Sequence, residues 1–324
     1  MNSRRRFHET MNFGSPDRAP YFEEGIRDTV RQVWRGQGLS PDTDLYEIFL
    51  TDRREEIQLD LDPHPGIKKW PVSNRQLNKF EKSFRADDRK RYPRDWSQKI
   101  RSWQNRDHLL MLRVHRGFFN AMGVTGWQRF SDAMLLLAED PGFVGEIMAI
   151  RGAFSARLAE RVLKEVDVDA AVFSEPAGGN EGPLISPEVY ENVVLKSYRP
   201  VFDVLRRYGV ETIIFRTYAN ARIYLPMILK WGFNCLWACE VDTDSMDYRD
   251  IRRQLGSDLR FIGGIDLDTL RHGKEAIRRE IEEKVPPLLA EGGYVPLADG
   301  RIREDVPYEN YVYYRQLLRK VTRR

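Results

Sequence analysis

The sequence is poor in the residues that build metal sites and disulfides. Among 324 residues there are two cysteines, Cys235 and Cys239, and five histidines. So few cysteines exclude a disulfide framework and point to a reducing, cytoplasmic setting. As a metal pair the two are badly spaced: three residues separate them, and along a strand that puts their α-carbons about 13 Å apart. Only a helix would bring the thiols together, and "FNCLWACEV" reads as strand, so both are expected in the core with no metal bound. No stretch approaches the roughly 18 uninterrupted apolar residues of a membrane span. The opening "MNSRRRFHETMNFG" has basic residues but no apolar core behind them, which is not the pattern of a secretion signal. An excess of one charge is lacking as well. The formal net charge is +3 and the basic residues are spread along the chain, so no nucleic-acid partner is expected. No strand runs into a glycine fingerprint of the dinucleotide-binding kind.

What is present is an ordinary α/β composition, 41% hydrophobic and 31% charged. Continuous apolar runs, as in strands covered on both faces, occur at "HLLMLRV" (108–114), "AAVFSE" (170–175), "ETIIF" (211–215), "CLWACEV" (235–241) and "LRFIGGI" (259–265). "GGYVPLAD" (292–299) supplies another, and "RAPYFEE" (18–24) a first one. Between them lie amphipathic helices. One carries Phe143, Ile147, Ile150, Phe154, Leu158 and Val162 on a stripe; another carries Val194, Tyr198, Val201, Phe202 and Leu205. The second should be capped by Ser186, open with Pro187, kink at Pro200 and leave through Gly209. This alternation allows a doubly wound sheet or a (β/α)8 barrel, and the missing glycine fingerprint tilts the choice to the TIM barrel. Residues 51–107 differ: dense in charge and carrying three tryptophans, they read as an ordered cap or insertion on a single domain spanning 1–324.

In such a barrel the chemistry collects at the C-terminal strand ends. That rule selects His115 and Arg116; Glu175; Arg216, Tyr218 and Asn220; Glu240 and Asp242; Asp266; and Asp299 with Arg301. Each has an ordinary alternative. His115 is an acid/base candidate by residue type, or a satisfied histidine at a strand end. Glu175 precedes the glycine-rich loop "PAGGNEGPLISPE", which either admits a ligand to backbone amides or simply turns. Glu240 either anchors a ligand or caps a helix, and Asp266 suits a cap better than a site.

At these same strand ends the sequence resembles the uroporphyrinogen decarboxylase superfamily, in the order "RRRFHETMNFGSPDRAPYFE", "LRVHRGFF", "GPLISPEVYENVVLKSYRPVFDVLRRYGVE", "IRRQLGSDLRFIGGIDLDTLRHGKEAI" and "VPPLLAEGGYVPLADGRIREDVPYENYVYYRQLL". It is most similar to a decarboxylase-like branch related to the cobalamin- and coenzyme-M-dependent methyltransferases. The resemblance implies a TIM barrel with an N-terminal helical extension and a pocket at its mouth. It implies a monomer or homodimer. It also admits a corrinoid carried by a partner protein, since no cofactor motif is recognisable in the chain itself. The departures from the family pattern matter more. Porphyrinogen decarboxylases place an arginine-rich segment after the first strand, where this chain has "YFEEGIRD"; Glu23 and Glu24 would repel a polycarboxylate. Methyltransferase zinc ligands would fall at Arg216, Tyr218 and about Gly300, none of which is a usual zinc ligand. The paired acids of the decarboxylase-like branch are likewise replaced by Arg216 and Tyr218, while Asn220 and Asp299 remain.

Two readings stay open. One is a methyl- or other group-transferase acting on a small anionic molecule, with His115 and Tyr218 in catalysis and Glu175, Arg216, Asn220, Glu240, Asp299 and Arg301 binding substrate. The other is a catalytically inert barrel retained for ligand or partner binding. Porphyrinogen decarboxylation comes last, for the charge reason.

Overall fold

The computed structural model describes residues 1–45, 49–241 and 244–323. These fall into two compact units: one made of Met1–Arg54, Asp107–Leu109 and Cys235–Arg324, the other of Glu55–Arg106 and Leu110–Asn234.

The Glu55–Arg106 and Leu110–Asn234 unit contains four strands that neighbour one another in the order β1 (Arg54–Gln58), β2 (Leu109–His115), β3 (Ala170–Glu175) and β4 (Thr212–Thr217). β2, β3 and β4 are parallel, with Ala170 beside both Met111 and Thr212. β4 is longer than "ETIIF" suggests. The ladder continues through Arg216 opposite Ser174 and Thr217 opposite Glu175, and all six residues are buried. Thr and Ile suit a strand because their branched side chains pack on the pleat. β2 is irregular: Arg113 pairs with Val172 but His115 pairs with Phe173, so Val114 is an extra residue in a bulge.

Helices cover one face of these strands. Phe173 packs on Tyr198 and Phe202 of the Lys196–Arg207 helix, with ring centroids 5.1 and 5.3 Å apart. The stripe expected from Phe143 to Val162 lies on the Pro141–Leu163 helix and is buried except at Ile150, which is half-buried. Ser186 caps its helix, Pro187 opens it and Gly209 leaves at φ +68°. Pro200 lies inside the Lys196–Arg207 helix, and the turn before that helix is widened into a π segment, Tyr190–Leu195. The charged stretch 51–107 holds a strand and short helices, and its tryptophans pack. Trp70 packs on Phe80, and Trp103 Nε1 donates to Glu55 at 2.9 Å. Its strand, β1, is one the sequence reading overlooked.

The other unit holds β5 (Cys235–Ala238), β6 (Arg260–Ile265) and β7 (Tyr294–Ala298), again parallel. Helical tyrosines tie the strand backbones: Tyr248 Oη accepts from Ala238 N and donates to Ile262 O, and Tyr314 Oη accepts from Ala298 N. The expected N-terminal helix is Ser3–Met11. "RAPYFEE" is not a strand. Arg18 and Ile26 make only isolated bridges to Arg323 and Ile302, while Arg6, Arg18 and the Tyr21 N–H converge on buried Asp52. The α/β class with parallel strands and covering helices therefore holds. The described residues give seven strands in this sheet, one fewer than the eight of the expected TIM barrel.

Candidate functional site

The C-terminal half of β4 decides what its unit presents. Strand pleating sends alternate residues to opposite faces, so Arg216 shares a face with its ladder partner Ser174, and Thr217 shares the helix-covered face with Glu175. On the face away from the helices, Arg216 Nη1 lies 3.1 Å from Glu56 Oε2 and its Nη2 lies 3.5 Å from Oε1. Arg113 Nη2 approaches the same Glu56 Oε1 at 2.5 Å. Strands β1, β2 and β4 thus aim three charged side chains at one point, with Arg216 only 5% exposed. Two guanidinium forks gripping one carboxylate is the geometry that binds carboxylates and phosphates generally. Sequence reasoning found Arg216 and missed both Glu56 and Arg113. Glu56 lay in the presumed insertion; Arg113 is the only charge inside the apolar run "LLMLRVH", a signal that could have been used.

His115 and Glu175 face the other way. The bulge at Val114 turns the His115 ring into the helix layer, against Tyr198 at 4.5 Å between centroids. Gly117 N donates to His115 Nδ1 at 2.9 Å, so the ring proton sits on Nε2, which finds no hydrogen-bond partner among the described residues. Burial, reinforced by Arg151 and Arg116, pushes its pKa down to about 3, so the imidazole is neutral at ordinary pH. Glu175 is 1% exposed and accepts from Phe118 N at 2.8 Å, Tyr190 Oη at 3.0 Å and Tyr198 Oη at 2.6 Å. Burial pushes its carboxyl pKa up while those three donors oppose the shift. Both residues tie strand ends to helices, and neither shares the Arg216 face.

Beyond β4, Tyr218 is 40% exposed. Asn220 shapes the loop: its Oδ1 accepts from Arg222 N at 3.2 Å, and its N–H donates to Gly179 O at 2.9 Å.

In the other unit, Asp299 follows β7 and is 4% exposed. Its Oδ1 accepts from Leu267 N at 3.2 Å, yet burial raises its pKa to about 8, so it carries a proton at neutral pH. Glu240 is exposed and takes a left-handed backbone, φ +52°, held by its N–H to Asp299 O at 2.5 Å. That conformation is costly for a residue with a β-carbon and is a common mark of functional loops. A β-carbon on Gly300 would come 3.0 Å from Glu240 Cγ, which leaves glycine the fitting residue there. Arg301 is exposed. Asp266 caps the next turn, accepting from Asp268 N at 2.8 Å, as its position suggested. Asp242 lies outside the described residues. Glu23 and Glu24 do not stand as bare negative charges: Glu23 is paired with Arg315 and Glu24 with Arg54 at 3.4 Å. Cys235 and Cys239 are both buried, and burial raises the Cys235 thiol pKa.

Comparison with known proteins adds one firm result. No curated protein matches the chain. The crystal structure of xylanase B from Clostridium stercorarium F9 superposes with a TM-score of 0.41 at 8% identity, over 84% of this chain and 88% of that one, too distant a likeness to bear on function. A family model described as uroporphyrinogen decarboxylase (URO-D) matches residues 118–311, more than half of the sequence and including β3 to β7. The chain belongs to the uroporphyrinogen decarboxylase family.

Proposed function

We propose that this family member binds a small anionic molecule at the C-terminal ends of β2 and β4, gripped by Arg113 and Arg216. The observation that carries the reading is the convergence of both guanidinium groups on Glu56. A ligand carboxylate or phosphate would take up the same forks, beside Glu56 or in its place. Tyr218, exposed just past the strand, would bound the ligand from solvent, with Asn220 setting the loop. Methyl or other group transfer to or from that molecule is the activity proposed, a corrinoid protein being the partner if the group is methyl. Glu240, Asp299 and Arg301 are proposed to contact ligand at the strand ends of their own unit, Asp299 as a proton-carrying acid.

A second reading, a barrel that binds without catalysis, is favoured by one observation. His115, the acid/base candidate by residue type, is neutral and buried among helix side chains. Calorimetric titration with small mono- and dicarboxylates and phosphate esters tests the anion site. Arg216→Ala should weaken the best ligand by about tenfold or more with folding intact, and Glu56→Gln should tighten it by removing a competing anion. If neither substitution changes binding, the anion site is wrong. Binding without turnover of the bound ligand selects the second reading.

A further inference from the structure

A separate cleft in the same unit is built from the charged stretch and the end of the Pro141–Leu163 helix. Its volume is about 690 Å³, within the range of small-molecule sites. Four cations line it: Arg89, Lys90, Arg94 and Arg161. All four are exposed. Among the described residues none of them is ion-paired, in a chain where most buried arginines and many surface ones are matched with acids. The two acids of the lining are already engaged. Asp87 is paired with Arg85 at 2.8 Å, and Glu165 accepts the Trp96 indole N–H at 3.4 Å.

Two aromatic rings complete the wall. Tyr92 and Trp96 meet with centroids 5.2 Å apart, both half-buried, and the Tyr92 hydroxyl donates to Ala86 O at 3.0 Å. Trp96 also opens the nine-residue Trp96–Gln104 helix, so Ser97 brings that helix's first turn to the cleft. The positive end of the helix dipole adds to the four side-chain charges. Topology sets this place apart from the Arg216 site. The chain passes Arg161 and Glu165 just before β3 begins at Ala170, so the cleft lies toward the N-terminal strand ends.

We propose that this cleft binds a nucleotide-sized polyanion, its phosphates held by Arg89, Lys90, Arg94 and Arg161 and its aromatic ring by Tyr92 and Trp96. Clustered cations that make no close ion pair attract phosphate; rings at the same opening give a planar base something to contact. The role is ligand binding away from the strand ends that carry the proposed chemistry, as an effector site would be.

Calorimetry with ATP and with inorganic tripolyphosphate, near physiological ionic strength, tests it on the full chain. Arg94 and Arg161 are exposed, so the double variant should fold; Trp96 is half-buried against Tyr92 and Trp103, so the fold of Trp96→Ala is checked by circular dichroism. The expected result is saturable ATP binding, weakened about tenfold or more by the Arg94→Glu/Arg161→Glu double variant. Tripolyphosphate should bind more weakly than ATP, and Trp96→Ala should erase that difference. The proposal is overturned if ATP does not bind, if the charge reversals leave its affinity unchanged, or if tripolyphosphate binds as tightly as ATP.

Discussion

A β-carbon placed on Gly117 would stand 2.4 Å from Glu175 Oε1 and 2.9 Å from Ser174 O. Gly117 also has φ +79°, in the left-handed region. Glycine is what lets the chain after β2 pass the buried carboxylate closely enough for Phe118 N to bond it. Gly117→Ala should therefore cost about 2–4 kcal/mol, the sum of left-handed strain and overpacking. Urea denaturation would check it; a loss below half a kcal/mol, on the order of a surface substitution, would show that the strand end yields freely.

The three donors on Glu175 make a second case. Tyr198→Phe removes the 2.6 Å bond and leaves a fully buried carboxyl one donor short. The expected loss is about 1–3 kcal/mol. Because the remaining donors favour the charged form less, the Glu175 pKa should rise further in the variant, which carboxyl infrared or NMR titration would read.

His115 gives a prediction about acid. Its folded pKa of about 3 lies below the unfolded value near 6.5. In the folded state the ring resists protonation and in the unfolded state it does not. Its stabilising contribution is thus whole above pH about 6.5 and declines as pH falls toward about 3, by at most about 1.4 kcal/mol per unit. His115→Gln should flatten that limb. Imidazole NMR should show Nε2–H and no titration above about pH 4; a midpoint near 6 would mean that the ring is not buried as described.

Asp299 has the opposite sign. Its pKa is raised to about 8 from an unfolded value near 4, so the folded state keeps a proton that the unfolded chain releases. That contribution is full below pH about 4 and is lost as pH rises to about 8. Asp299→Asn keeps the shape without the charge, and stability measured across this window should slope less than in the parent. Equal slopes would place the perturbed proton elsewhere.

The buried pair Arg106 and Asp169, 3.0 Å apart, fixes the start of β3 to that of β2, since Asp169 also accepts from Leu110 N. Arg106→Met takes this cation from a carboxylate with no exposed side-chain surface. A loss of about 3–5 kcal/mol in chemical denaturation is expected.

The buried strands were legible in the sequence because both faces are covered and the apolar runs are unbroken; β3 matches "AAVFSE" residue for residue. β1 was not, because "REEIQ" has one buried residue in five and its charges meet partners remote in sequence. Arg216 stood out as a charge ending an apolar run, and family comparison drew attention to the same place. Its partner could not be read: Glu56 lies 160 residues earlier, and only the strand order joins them. His115 and Glu175 were rightly placed at strand ends. Which face they take depends on a bulge and on hydrogen bonds to helices, and neither leaves a mark in composition or spacing.

The extra residue at Val114 has a consequence for reading relatives. Counting in twos from Arg113 puts His115 on the arginine's own face; the fold puts it on the other. From this point β2 runs out of phase with its own sequence. A relative lacking that single residue would carry its histidine one column earlier and still aim it into the helices. Relatives are therefore best matched by the direction each side chain faces, and a column-by-column match would join groups that work on opposite sides of the sheet.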